Sequence, residues 1–123
     1  MTIENAFIEC ALWSSTYESE GDTKCGDSGE HYLSDDSEAK LIKIVSDFEA
    51  KFQHLFEPGN MTQQGAAEQA GHDLWLSSQG HGAGFWEDHD WRSDIGKILD
   101  KEAKAAVPEM YLYLNENGEL DFE

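Results

Sequence analysis

Side chains that could bind a metal ion or transfer a proton are concentrated between residues 70 and 91. The stretch contains the imidazoles of His72, His81 and His89, and its carboxylates include Asp73, Asp88 and Asp90. Imidazole nitrogens and carboxylate oxygens are common zinc ligands, and histidine also titrates near neutral pH. One hypothesis is therefore a metal-binding or small metal-dependent site at His72, His81 and His89, although their spacing matches no specific ligand motif.

The same stretch has the pattern of a β-hairpin. Residues 73–77 and 83–87 are short aromatic-rich runs, and the five residues between them include two glycines. Runs of this kind on either side of a glycine-bearing turn predict two paired strands. Because large apolar side chains would alternate onto both faces, we expect this hairpin to lie in the middle of a sheet, or between helices on one side and a loop on the other.

Within a hairpin, these polar residues favour a structural role over a catalytic one. Adjacent residues of a strand point to opposite faces, so His72 and Asp73 would not bind the same ion. We expect His72 and His81 to hydrogen-bond across the turn, and Asp88 and Asp90 to cap the helix that follows. This interpretation assigns no catalytic residue and requires no cofactor.

The sequences GHDLWL at residues 71–76 and GHGAGFW at residues 80–86 resemble a family of small acidic proteins found in tailed-bacteriophage genomes and prophages. The family has no assigned biochemical role, so the resemblance implies a phage origin but no reaction. Leu74 and the pair Ser77-Ser78 stand where the family has an aromatic residue and a Thr-Arg pair. The motif residues expected to be structural are His72, Asp73, Trp75, Gly80, His81, Gly82, Gly84, Phe85 and Trp86.

The net charge restricts the kinds of partner that the chain can bind. Its 123 residues include 26 acidic and 8 basic side chains, which gives a formal charge of −18. Phosphate contacts require lysine and arginine, and Arg92 is the only arginine. Direct binding to nucleic acid or to an anionic membrane is therefore disfavoured, and the expected partner is a basic protein.

Charge and size together are compatible with nucleic-acid mimicry. Duplex DNA carries about one negative charge per 1.7 Å, so a charge of −18 corresponds to roughly 30 Å of duplex. A domain of this length spans roughly 35 Å. An acidic phage protein could thus occupy the nucleic-acid-binding groove of a host defence or transcription protein. The predicted contact residues are Glu18, Glu20, Asp22, Asp27, Glu30, Asp35 and Asp36. The alternative is that the acidity only serves solubility.

Cysteine content and hydropathy favour a protein of the host cytoplasm. Cys10 and Cys25 are the only cysteines, and they form neither a disulfide framework nor a zinc-ribbon pattern. Cys10 is expected to be a small core residue, and both thiols are expected to be free, with a single bridge between Cys10 and Cys25 as the alternative. No apolar run approaches the length of a membrane span, and the N-terminus has no basic leader pattern.

Apolar residues spaced three and four apart predict the helices that position the central stretch. The predicted helices comprise residues 2–13 with Thr2 as the cap, residues 35–55 with a capping-box variant at Asp35 and Glu38, a short segment 62–69, and a helix after residue 91 that ends before Pro108.

Residues 15–34 are predicted to form a long acidic loop. Alternating apolar residues from position 110 and the Asn117-Gly118 pair predict a second hairpin that ends at Phe122. The whole is expected to be a single domain over residues 1–123. Its class is α+β, with two hairpins that form a small antiparallel sheet of about four strands packed against about three helices.

Overall fold

A computed structural model describes residues 2–52, 66–80, 84–85 and 93–123. Helices and short antiparallel strands account for most of these residues, which confirms the α+β class. The elements are α1 (Ile3–Trp13), β1 (Thr16–Ser19), β2 (Asp22–Cys25), α2 (Asp35–Phe52), α3 (Ala66–Gln79), α4 (Ser93–Ala106), β3 (Leu112–Leu114) and β4 (Leu120–Phe122).

The four strands form two separate two-stranded sheets, β1-β2 and β3-β4. The second pair is the predicted terminal hairpin, in register with Tyr113 opposite Asp121. Its turn contains Gly118 at a φ of 77°, a conformation that favours glycine. Leu33 adds a parallel bridge to Leu120, and β1 lies beside β3. The two hairpins are therefore neighbours.

The predicted acidic loop is wrong in part, because residues 16–25 form the first hairpin. Its tight turn places Glu20 and Gly21 at φ values of 53° and 83°, the conformation of the turns that suit the twist of paired strands. Tyr17 is 2% exposed, and its hydroxyl lies 2.8 Å from His31 Nδ1. One buried tyrosine thus fixes a segment whose composition is mostly polar.

The predicted central hairpin is wrong, because residues 66–79 form helix α3. Its buried positions include two series with helical spacing, Ala70, Leu74 and Ser77 and then Gly71 and Trp75, and Asp73 is buried between them. Gly, Asp and Ser belong to this buried face, so a count of apolar residues alone hides the helical period. The predicted helix 62–69 overlaps the start of α3, and its residues before 66 lie outside the described residues.

The other predicted helices are confirmed, with differences at their ends. Thr2 caps α1 by accepting a hydrogen bond from the Asn5 backbone nitrogen at 3.1 Å. The cap of α2 is Ser34 and not Asp35, because Ser34 Oγ accepts from the Ser37 nitrogen at 3.1 Å. The part of the predicted helix 35–55 that follows Phe52, and the predicted caps at Asp88 and Asp90, lie outside the described residues. Helix α4 ends before Pro108, as predicted.

Helices α1 and α3 are in close contact because α3 has a glycine where they meet. A Cβ on Gly71 would lie 2.6 Å from the Ala6 Cβ and from the Ile3 carbonyl oxygen, and 2.8 Å from the Phe7 nitrogen. Such distances are shorter than real Cβ contacts allow, so no larger residue fits without moving a helix.

Trp75 is the centre of the core. Its ring makes edge-on contacts with Phe7 at 5.6 Å and Phe122 at 5.4 Å between centroids. Its indole nitrogen donates to Ser14 Oγ at 2.7 Å, so the polar group of this buried ring is satisfied. The tryptophan therefore joins α1, α3 and β4. Within the described ranges, no helix is long and apolar enough to cross a bilayer.

We predict that Gly71→Ala destabilises the protein. Overpacking costs about 1–3 kcal/mol, and the better helix propensity of alanine offsets up to about 1 kcal/mol of that cost. The expected result is a lower Tm by about 4–8 °C in thermal unfolding. Ala6→Gly in the same chain should recover only part of the loss, because the Ile3 oxygen and Phe7 nitrogen still obstruct the new methyl group. An unchanged Tm for the single variant would mean that α1 and α3 lie further apart.

Candidate functional site

A cleft of about 360 Å³ lies between α1 and α3. Its lining combines titratable groups with apolar and aromatic surface, as ligand pockets commonly do. The lining residues are Glu9, Cys10, Trp13, Gln69, His72, Asp73 and Leu76. Trp13 stands at this cleft with 63% of its surface exposed.

His72 faces a carboxylate of the opposite helix. Its Nε2 atom lies 3.8 Å from Glu9 Oε1, which is too long for a hydrogen bond. This nitrogen is buried and has no hydrogen-bond partner among the residues that the structure describes. A buried nitrogen in this condition is unusual and requires an explanation.

Glu68 completes a group of three ligand-type side chains around His72. One ligand atom each of Glu9, Glu68 and His72 lies within 4.8 Å of the others. Glu68 and His72 are four residues apart on α3 and therefore share one face of the helix. The structure thus combines His72 with two glutamates that sequence analysis missed. The predicted partners His81 and His89 lie outside the described residues.

Asp73 also lines the cleft, which corrects the expectation from a strand that His72 and Asp73 point in opposite directions. Its side chain is 1% exposed and accepts a hydrogen bond from Gln69 Nε2 at 2.9 Å. Helical geometry places neighbouring residues about 100° apart, so both side chains can line one cleft.

Cys10 is an inert thiol at the inner wall of this cleft. Its Sγ lies 3.8 Å from the His72 carbonyl oxygen. Burial raises the pKa of the Cys10 thiol to about 12, and the negative charges of Asp73 and Glu9 act in the same direction. Cys10 and Cys25 are both free. A thiol that stays protonated is a poor nucleophile, which agrees with its interpretation as a core residue.

Thiol labelling tests this environment. A pKa near 12, against an ordinary value of 9.0, leaves about 1,000-fold less thiolate at pH 8. We expect Cys25→Ala, which retains Cys10, to react with a disulfide reagent at least about 100-fold more slowly than Cys10→Ala, which retains Cys25. In concentrated urea the two variants should react at similar rates. Equal rates in the folded state would contradict the burial of Cys10.

The predicted contact carboxylates are all exposed. They lie in or after the first hairpin, at its turn and at the start of α2: Glu18, Glu20, Asp22, Asp27, Glu30, Asp35 and Asp36. Lys24 is the one lysine of this segment, and its ammonium forms an ion pair with Glu30. Glu18 accepts a hydrogen bond from Thr23 Oγ1 at 2.6 Å.

A groove of about 480 Å³ brings one of these residues next to the terminal hairpin. Asp36 lines it together with Glu116, Glu119 and Asp121, which sequence analysis did not select. Tyr113, which is 41% exposed, lies in the same groove. Carboxylates beside an exposed aromatic ring can receive a lysine or arginine side chain.

Asp121 connects β4, at one side of the groove, to the start of α2. One carboxylate oxygen accepts hydrogen bonds from Ser34 and, at 2.6 Å, from Ser37, and the other accepts from Asn115 Nδ2 at 2.8 Å. The Ser34, Ser37 and Asn115 hydrogen bonds, in that order, lower the pKa of Asp121, and the charge of Lys40 also lowers it. A negative charge beside the first turn of α2 is also favoured by the helix dipole.

Most described residues of the GHGAGFW sequence at residues 80–86 have packing roles. Phe85 is buried and its backbone nitrogen donates to Ser77 Oγ at 2.9 Å. Gly84 has a φ of 142°, and a Cβ there would overlap Ser77 Oγ. Gly80 follows the end of α3 with a φ of 72°, as is common after a helix. The motif residues His81, Gly82 and Trp86 lie outside the described residues.

No family model, curated protein or solved structure matches the chain. The resemblance to phage proteins therefore stays a prediction. Among the described residues, the cleft and the acidic groove both combine charged side chains with exposed aromatic surface.

Replacing Asp121 tests the connection between β4 and α2. We expect Asp121→Ala to lower the free energy of unfolding at pH 7 by about 1 kcal/mol, since hydrogen bonds to a charged group are lost but solvent partly screens the carboxylate. Because the folded pKa is lowered, the contribution of Asp121 is fully present above its unfolded pKa, near 3.8, and is lost as pH falls through the folded value.

Denaturant titrations from pH 7 to pH 2 measure this difference. The stability curves of the wild type and Asp121→Ala should converge at the acidic end. Asp27→Ala is the matched control, because Asp27 is an exposed carboxylate in the acidic segment. A gap between the wild type and Asp121→Ala that does not narrow on acidification would contradict a charge-dependent role.

Proposed function

We propose that this chain is an acidic interaction protein that binds the basic, nucleic-acid-binding surface of another protein. The supporting observation is the charge of its two neighbouring hairpins and their flanks. Residues 15–36 contain seven carboxylates and one lysine, and residues 105–123 contain five carboxylates and neither lysine nor arginine. The single lysine is paired with Glu30.

The position of the hairpins supports a joint contact surface. β1 lies beside β3, and Asp36 shares a groove with Glu116 and Glu119. Carboxylates from segments that are distant in sequence therefore lie on adjoining elements. Clustered charge of one sign steers and orients a partner of opposite charge more strongly than the same charge distributed at random.

Exposed tyrosines near the hairpins also support a role in protein binding. Tyr32, Tyr111 and Tyr113 are 74%, 67% and 41% exposed, and all three adjoin β4. The Tyr32 carbonyl accepts from the Leu120 nitrogen, and Tyr111 exchanges backbone hydrogen bonds with Glu123. Tyrosine is enriched in interfaces and its ring attracts guanidinium groups, so this surface suits an arginine-rich partner.

A partner that normally binds DNA or RNA fits this chemistry, because carboxylates can replace phosphates at its basic groove. The phage resemblance suggests a host protein, such as a defence or transcription protein, in the host cytoplasm. On this proposal the chain inhibits its partner by occupying the groove and requires no cofactor.

Binding is tested with a partner captured from bacterial lysate on the immobilised protein, then identified and purified. We expect its affinity to fall steeply with salt, and duplex DNA or RNA to compete for the same surface. An affinity that stays flat as salt rises, a complex that excess nucleic acid does not displace, or a lysate that yields no partner would each count against the proposal.

Paired charge variants locate the surface. Glu116→Gln/Glu119→Gln should weaken binding by roughly 2- to 30-fold, which corresponds to about 0.2–1 kcal/mol for each charge pair. Asp47→Asn/Glu102→Gln removes the same charge from α2 and α4 and should change affinity much less. Equal losses in the two variants would show that net charge alone acts, and not the hairpin surface.

A further inference from the structure

We propose that Glu9, Glu68 and His72 form a binding site for a divalent transition-metal ion of the zinc type. The hairpins provide none of these ligands, so the site is independent of the proposed partner binding. Two observations support it: the convergence of the three ligand-type side chains, and the buried His72 nitrogen that lacks a partner among the described residues.

The helix arrangement positions the three side chains. Glu68 and His72 lie one turn apart on α3, so both point to the same side of the helix. Glu9 approaches from α1, and the close contact at Gly71, next to His72, brings that helix within reach. The ligands therefore come from rigid elements and not from loops, which favours a defined geometry.

The ligand atoms of Glu9, Glu68 and His72 must move slightly closer together to bind one ion. Zinc bonds to nitrogen and oxygen are about 2.0–2.2 Å long, so ligand atoms around one ion are roughly 3.3 Å apart. Here His72 Nε2 lies 3.8 Å from Glu9 Oε1, and the whole group lies within 4.8 Å. The Glu9 side chain is 56% exposed, so rotation about its side-chain bonds can supply the remaining movement.

The unpartnered nitrogen indicates what the site lacks. Buried polar atoms normally have a hydrogen-bond partner or a metal. His72 Nε2 is directed toward Glu9 at a distance too long for a hydrogen bond. A bound cation would accept the lone pair of a neutral imidazole and would neutralise the two glutamates beside it.

The ligand types select the class of ion. One imidazole with two carboxylates suits Zn²⁺, Co²⁺ or Mn²⁺, whereas Mg²⁺ and Ca²⁺ prefer oxygen ligands alone. Three protein ligands leave a coordination position for water, and the adjoining cleft with Trp13 and Leu76 provides space for it.

Titration of the purified, metal-free protein with Zn²⁺ in a calorimeter tests the site, and Co²⁺ absorption reports the coordination. We expect one ion per chain and a Tm increase of about 5–10 °C at an ion concentration about 100 times Kd. Glu9→Gln, Glu68→Gln and His72→Gln should each weaken binding at least about tenfold, since each removes a ligand. Ca²⁺ should bind at least about 100-fold more weakly.

Control variants separate this site from other histidines and from general acidity. Glu38→Gln removes an exposed glutamate of α2, and His81→Ala/His89→Ala removes the two histidines of the competing ligand set. Both should bind Zn²⁺ with unchanged affinity. Circular dichroism of every variant verifies that folding is retained, and any ligand variant that unfolds is replaced by its alanine counterpart.

Three outcomes would overturn the site. The first is the absence of stoichiometric Zn²⁺ binding. The second is binding that survives Glu68→Gln and His72→Gln but is lost in His81→Ala/His89→Ala. The third is equal binding of Ca²⁺ and Zn²⁺ with no effect of His72→Gln, which would indicate a diffuse acidic surface.

Discussion

The contact between α1 and α3 at Gly71 is the constraint on which the rest of the described structure depends. Because this position has no side chain, the backbone of α1 can approach α3 closely. Trp75, one turn later, then packs between Phe7 and Phe122 and donates to Ser14. His72, the next residue after Gly71, is brought opposite Glu9 by the same contact. The packing around Trp75 and the approach of Glu9 to His72 therefore have one physical cause.

Sequence patterns predict correctly those elements in which the buried positions are occupied by apolar residues. The apolar stripe of α2 buries Leu41, Val45 and Phe48, and the alternation before Asn117-Gly118 buries Met110 and Leu112. Helix α3 was predicted wrongly because Gly71, Asp73 and Ser77 are buried. Glycine permits a close approach, and the two polar residues are hydrogen-bonded, so burial in α3 depends on tertiary contacts that no local count of apolar residues contains. The first hairpin was missed because Tyr17 is almost its only buried apolar residue, although the Glu20-Gly21 turn was a usable signal.

The sequence identifies some residues of the candidate sites, but it does not show which residues the fold brings together. His72 was identified from its residue type, but Glu9 lies more than 60 positions away and meets it only because two helices pack together. Glu68 could have been found from its spacing of four before His72 if this stretch had been recognised as a helix. The acidic segment was visible in composition, whereas its meeting with Glu116 and Glu119 depends on how the terminal hairpin docks. Charge can be counted in a sequence, but the fold decides which charges become neighbours.

The docking of that hairpin has a kinetic consequence. The hydrogen bonds that Ser34 and Ser37 donate to Asp121 join residues 87 and 84 positions apart. Closing so long a segment costs conformational entropy before these bonds can form, whereas β3 and β4 can pair locally within microseconds. Such distant contacts raise the contact order of a chain that is otherwise largely helical. The protein should therefore fold more slowly than a helical bundle of the same length.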